Sequence, residues 1–271
     1  MKTRIIAAAV LVPILLLILL AAPKVAAAIV LGVLLAIAAF ELLYRTGLVT
    51  NIRLVMYSAA MAFALSMWSY FGAVRAWFML LLMVFFAVLY SEMMLDHIKV
   101  HFEHIGMCFA AGVIIPYMIS ALVRILTLNV GRYVILIPFV VAFTSDAGAY
   151  FVGLKFGKHK LAPVVSPNKT VEGALGGIVT AVASMIIYAL ILDFPCHFQV
   201  NYGLAILYGL VGSVAGAFGD LCFSVVKRQT GIKDYGNLIP GHGGVLDRFD
   251  SLTMVAPLME ALLLMAPVII A

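Results

Sequence analysis

The side chains able to do chemistry gather in three short stretches of the C-terminal half: Thr144–Gly173, Gly216–Arg228 and Gln229–Ser251. The last holds Lys233, Asp234, His242, Asp247, Arg248 and Asp250, with Gly241, Gly243 and Gly244 around the histidine. Cations beside glycine-freed backbone amides suit a polyphosphate. Paired carboxylates suit Mg²⁺, which binds through one or two carboxylates together with phosphate oxygens. On the apolar segment that carries the middle stretch, Ser213, Ala217, Asp220, Ser224 and Lys227 recur at steps of four, three, four and three, which is one face of a helix. That face stacks a carboxylate, a hydroxyl and an ammonium. Asp250 and Ser251 have a second reading, as N-cap residues of the last helix.

The elements that must position these residues are membrane helices. Of the 271 residues, 65% are hydrophobic and 11% charged, with a mean hydropathy of +1.18. A soluble domain is about 25% charged, so this composition excludes an ordinary water-facing surface. Nine apolar segments stand out, at 5–22, 25–44, 52–71, 77–95, 105–123, 133–153, 174–194, 202–226 and 251–270. Each approaches the roughly 20 residues needed to cross a bilayer. The fold expected is an all-α polytopic membrane protein of about nine transmembrane helices. Helices 1–5 occupy 1–123, and a catalytic region with helices 6–9 and the polar loop occupies 133–271. The run 5–22 is longer than the roughly 7–15 apolar residues of a leader peptide and is read as an uncleaved first helix.

Placing the N-terminus in the cytoplasm puts thirteen of the 17 basic residues inside, Lys2 and Arg4 among them. Only Lys24, Arg75, Arg124 and Arg132 fall outside. This is the positive-inside pattern. It accounts for most of the net charge of +5 without a nucleic-acid partner, and anionic substrates account for the rest. Asp146 and Asp220 each precede an expected helix exit, at Gly153 and Lys227, by seven residues, so both carboxylates sit about 10 Å below the same surface. Intramembrane carboxylates at matched depth mark function. His97, His101 and His104 follow an i, i+4, i+7 pattern over Glu92–His104. Leu95, Ile98, Phe102 and Ile105 oppose them, so this segment is expected as an amphipathic helix on the membrane surface rather than a metal site. Cys108, Cys196 and Cys222 form neither a CxxC pair nor a disulfide framework.

The stretch SVVKRQTGIKDYGNLIPGHGGVLDRFD, Ser224 to Asp250, resembles the signature of the phosphatidate cytidylyltransferase (CDP-diglyceride synthase) family. That pattern runs Ser, two spacers, Lys-Arg, four spacers, Lys-Asp, then His-Gly-Gly and Asp-Arg-x-Asp, and every fixed position is met. The upstream SDAGAYFVGLKFGKHKLAPVVSPNKTVEG is also similar to this family, whereas the first five helices resemble it only in hydropathy. The resemblance implies a polytopic helical enzyme of the plasma membrane with a cytoplasmic site, dependent on Mg²⁺ with room for a second cation, and a homodimer. It implies that Asp220 and Asp247 hold metal and that Lys227 joins them in catalysis. Ser224, Arg228, Lys233, His242 and Arg248, with Lys169, Asp146 and Asp250, are the expected substrate-binding residues. The expected substrates are CTP and phosphatidic acid, a membrane lipid, and the product CDP-diacylglycerol.

Two other functions compete. A CTP-dependent lipid kinase would pass on the γ-phosphate instead. An ion-coupled transporter would use Asp146 and Asp220 as midplane sites, but no inverted repeat is visible and the polar motifs lie on one face.

Overall fold

A computed structural model of the chain describes residues 13–72, 75–238 and 243–270. Lys2, Arg4, residues 5–12 of the first expected crossing and His242 lie outside the described residues. Among the described residues, seven helices are long and apolar enough to cross a membrane: α1 (Lys24–Arg45), α2 (Ile52–Phe71), α3 (Ala76–Leu95), α4 (Phe102–Thr127), α5 (Gly131–Phe156), α6 (Val171–Asp193) and α7 (Tyr202–Gln229). Each covers one of the segments expected from hydropathy, and α2 does so residue for residue.

The chain divides into two compact units. The first holds the described residues up to Asn129 together with Gln229–Phe249. Here Asn51 caps α2 by accepting the Arg53 N–H at 3.1 Å, and Gly72 ends it in the left-handed conformation (φ +57°). α1 meets α2 where Gly32 lies against the Phe63 ring and Ser66 Oγ donates to the Ala28 carbonyl at 2.8 Å. Small residues of this kind let membrane helices approach closely. The last turn of α1, Glu41–Arg45, widens into a π-helix. The loop Gln229–Phe249 packs with this unit, although the sequence division at 123 and 133 groups it with the other half.

The second unit holds Val130–Arg228 and Asp250–Ala271. A two-stranded antiparallel hairpin, β1 (Lys160–Ala162) with β2 (Ser166–Thr170), joins α5 to α6. Thr170 caps α6 by accepting the Gly173 N–H at 3.1 Å. Small residues along α7 allow close contact: Gly212 faces Val141 and Met259, and Gly219 abuts the Asp250 carbonyl. The last helix, α8 (Leu252–Met265), follows.

Two expectations are corrected. Glu92–His104 is not one helix. α3 stops at Leu95 and α4 begins at Phe102, with a turn between them. Asp96 makes the turn: its backbone carbonyl accepts the Val100 N–H at 2.9 Å and its side chain accepts the Lys99 N–H at 3.3 Å. An aspartate that bonds its own neighbouring backbone competes with helix formation. His97 therefore sits in the turn, while the His101 N–H donates to His104 Nδ1 at the start of α4. The three imidazoles share no helical face. The segment 251–270 is also not helical throughout. α8 ends at Met265, two residues before Pro267, which disfavours helix in the residue ahead of it. Gln199–Val200 (β3) then pairs with Ile269–Ile270 (β4). At 14 residues, α8 is roughly 21 Å long.

Candidate active site

In the second unit, three separate parts of the sequence converge. Lys169 Nζ lies 2.5 Å from Asp220 Oδ2, and Ser224 Oγ donates to Asp220 Oδ1 at 3.3 Å. The second bond is the i, i+4 contact that the α7 face leads one to expect. Ser251 Oγ donates to Asp146 Oδ2 at 3.5 Å. Asp250 interacts electrostatically with Asp220, Asp146 and Lys227. Its carboxyl is pushed up to about 7, first by burial and then by the negative charge of Asp220. Helix capping does not explain Asp250, since its Oδ1 accepts the N–H of the adjacent Ser251, at 2.8 Å.

The helices that carry Asp146 and Asp220 run farther past these residues than the seven expected. α5 continues ten residues past Asp146 and α7 nine past Asp220, about 15 and 13 Å. The hairpin that delivers Lys169 is anchored at its base by Glu172, which accepts the Lys158 N–H at 3.0 Å and pairs with His159 Nδ1 at 2.6 Å. Arg228 holds the hairpin's turn, its Nε donating to the Val165 carbonyl at 3.1 Å.

The first unit carries the rest of the signature. Asp247 is 6% exposed and its Oδ2 accepts the backbone N–H groups of Tyr235 (2.8 Å) and Gly244 (2.9 Å). Gly243 turns at φ +87°, a conformation that favours glycine. Lys233 and Arg248 are exposed. The sequence reading missed Glu41, which accepts the Leu246 N–H at 3.0 Å. One signal was present: Glu41 is the only acidic residue before Glu92, and it lies inside an apolar span, where such a residue is costly.

The donor set suits a hard cation. Asp146, Asp220 and Asp250 supply carboxylate oxygens with no soft ligand among them, the chemistry Mg²⁺ selects. Among the described residues, no three His, Cys, Asp or Glu side chains already form a cage around one point. Lys169 and Lys227 bring positive charge to the same cluster.

A model of the cytidylyltransferase family matches residues 2–266. The chain is similar to a phosphatidate cytidylyltransferase of Staphylococcus haemolyticus, at 45% identity over 134 residues, 49% of this chain and 50% of that protein. It is similar to the Bacillus subtilis protein of the same name at 42% identity over 163 residues, 60% of this chain and 59% of that protein. A Staphylococcus aureus relative of that name is 41% identical over 138 residues, 51% of this chain and 52% of that protein. The matched stretch thus spans about half the length of these curated relatives.

Proposed function

The chain belongs to the cytidylyltransferase family, and on that premise we propose that it transfers the cytidylyl group of CTP to phosphatidic acid. An oxygen of the lipid phosphate attacks the α-phosphorus of CTP. The new O–P bond forms as the bond to the bridging oxygen breaks, and pyrophosphate leaves, giving CDP-diacylglycerol. The observation that carries this reading is the convergence of Asp146, Lys169, Asp220, Ser224 and Lys227 in one compact unit. Relatives named for the same activity support it.

Both reactants are anions, so the protein's first task is to neutralise and align them. Lys169 and Lys227 serve the cluster in the second unit, and Lys233, Arg248, Arg228 and His242 are assigned to the phosphates. The lipid phosphate is already ionised near neutral pH and needs no strong general base. Asp220, with Asp146 and Asp250 as the acids beside it, is therefore assigned to Mg²⁺ rather than to proton transfer, and Asp247 in the first unit has the same assignment. When bound, Mg²⁺ would supply charge neutralisation of the triphosphate. The reading includes a site facing the cytoplasm from the plasma membrane, about nine crossings and a homodimer.

The deciding assay supplies phosphatidic acid with CTP labelled at either the α- or the γ-phosphate. The expected result is labelled lipid from α-label only. Lipid labelled from the γ-position would replace this reading with a kinase, and no lipid labelling from either would remove it.

The orientation is tested by single cysteines with a membrane-impermeant reagent. Lys158→Cys and Lys233→Cys should react only from the cytoplasmic side, and native Cys196 only from the opposite one. Gly236 is a poor reporter, because a side chain there would land on the Glu41 carboxylate. Reaction of the Lys158→Cys thiol and of native Cys196 from the same side would eliminate the topology.

A further inference from the structure

The geometry points to Glu41 as the positioning residue of the loop Gln229–Phe249. Glu41 is 3% exposed, and its carboxylate sits against the loop backbone. Oε2 accepts the Leu246 N–H at 3.0 Å, across 205 residues of chain, and the Val245 N–H favours the carboxylate electrostatically. Asp247 takes the preceding N–H, that of Gly244, at 2.9 Å. Two carboxylates from distant parts of the chain thus face three consecutive amides, with hydrogen bonds to the first and the last, Gly244 and Leu246. A buried N–H stripped of its acceptor is costly, so this arrangement fixes the backbone leading into Asp247 and Arg248.

Two glycines follow from the same contact. A Cβ on Gly236 or on Gly244 would strike the Glu41 carboxylate; for Gly244 the nearest oxygen would be 2.5 Å away. Gly244 needs no positive φ, so the space taken by Glu41 accounts for its being glycine. Four residues after Glu41, Arg45 Nη1 donates to Asn237 Oδ1 at 3.2 Å and tethers the other limb of the loop. Glu41–Arg45 is the π-helical turn of α1; such turns occur often at functional sites. A carboxylate within an apolar span is costly to insert, and holding this loop gives it a purpose. The end of α1 is therefore part of the catalytic apparatus. The loop-holding role stands on the geometry alone, and its effect on turnover rests on the cytidylyl-transfer reading.

Hydrogen–deuterium exchange on the full-length, detergent-solubilised protein without substrate tests this directly. Glu41→Gln keeps one acceptor oxygen but sets an NH₂ against a backbone N–H. Exchange at Gly244–Leu246 is expected to quicken at least about tenfold, with α2 amides unchanged as the control for folding. In kinetics, kcat per folded molecule, with the folded fraction counted from the unchanged α2 exchange, should fall about tenfold or more while the KM for phosphatidic acid stays within about twofold. Gly244→Ala should loosen the loop similarly. Adding Glu41→Asp, one methylene shorter, should return exchange toward the wild-type rate, and this pair decides the matter if Glu41→Gln does not fold. Wild-type exchange in Glu41→Gln, or a Gly244→Ala defect that Glu41→Asp leaves untouched, overturns the assignment. A wild-type protein inactive with CTP and phosphatidic acid would instead remove the proposed function and leave the exchange result to judge Glu41.

Discussion

Asp220→Asn and Asp247→Asn are each expected to lower kcat by about 100-fold or more while leaving a folded, extractable protein. Losing one preorganised charge-stabilising group at a reacting centre typically costs that much. The amide replacement separates charge from shape at both positions. At 220 it keeps an acceptor for Ser224 Oγ and removes the negative charge facing Lys169 Nζ. At 247 one remaining oxygen can still accept from Tyr235 N and Gly244 N, now 2.8 and 2.9 Å from Oδ2. An inactive Asp247→Asn whose loop amides exchange as slowly as wild type therefore reports the missing charge. If both variants turned over at near-normal rates with saturating Mg²⁺, the assignment of both carboxylates to Mg²⁺ would fall.

The second large effect is expected in the basic residues. Lys169→Ala, Lys227→Ala and Lys233→Ala should each lower kcat/KM for CTP by about 10–100-fold, the worth of a charge-assisted hydrogen bond to phosphate. Lys169 should do so most sharply, since it is also the cation against Asp220. Arg248→Lys should be impaired although the charge is kept, because ammonium lacks the planar fork that grips a phosphate through two hydrogen bonds. Lys155→Ala and Lys160→Ala are the controls. Lys155 lies over the Phe156 ring, and Lys160 meets Thr170 through strand pairing, which survives loss of the side chain. These two preserve the topological question while leaving the site alone. Steady-state kinetics with both substrates varied decides it: an equal loss in all six variants would reduce the basic residues to markers of membrane orientation.

The membrane helices were legible in the sequence because the bilayer imposes a one-dimensional rule. A span needs about 20 apolar residues wherever it packs, so 52–71 was read correctly without knowing a single contact. The stacking of Asp220 on Ser224 was legible for the same reason, since helical spacing is local. Hydropathy failed where local polar bonding competed with it. Asp96 turns the chain between α3 and α4, and β3–β4 pairing takes the residues beyond Pro267 out of the last helix. Only the tertiary structure decided that Lys169 meets Asp220, that Arg228 reaches back to Val165, and that Glu41 enters the loop. The physical reason is shared by all three. A buried charge or amide takes whichever partner the returning chain presents, and in a chain so uniformly apolar the hydrophobic pattern says which segments cross a bilayer but not which of them will meet.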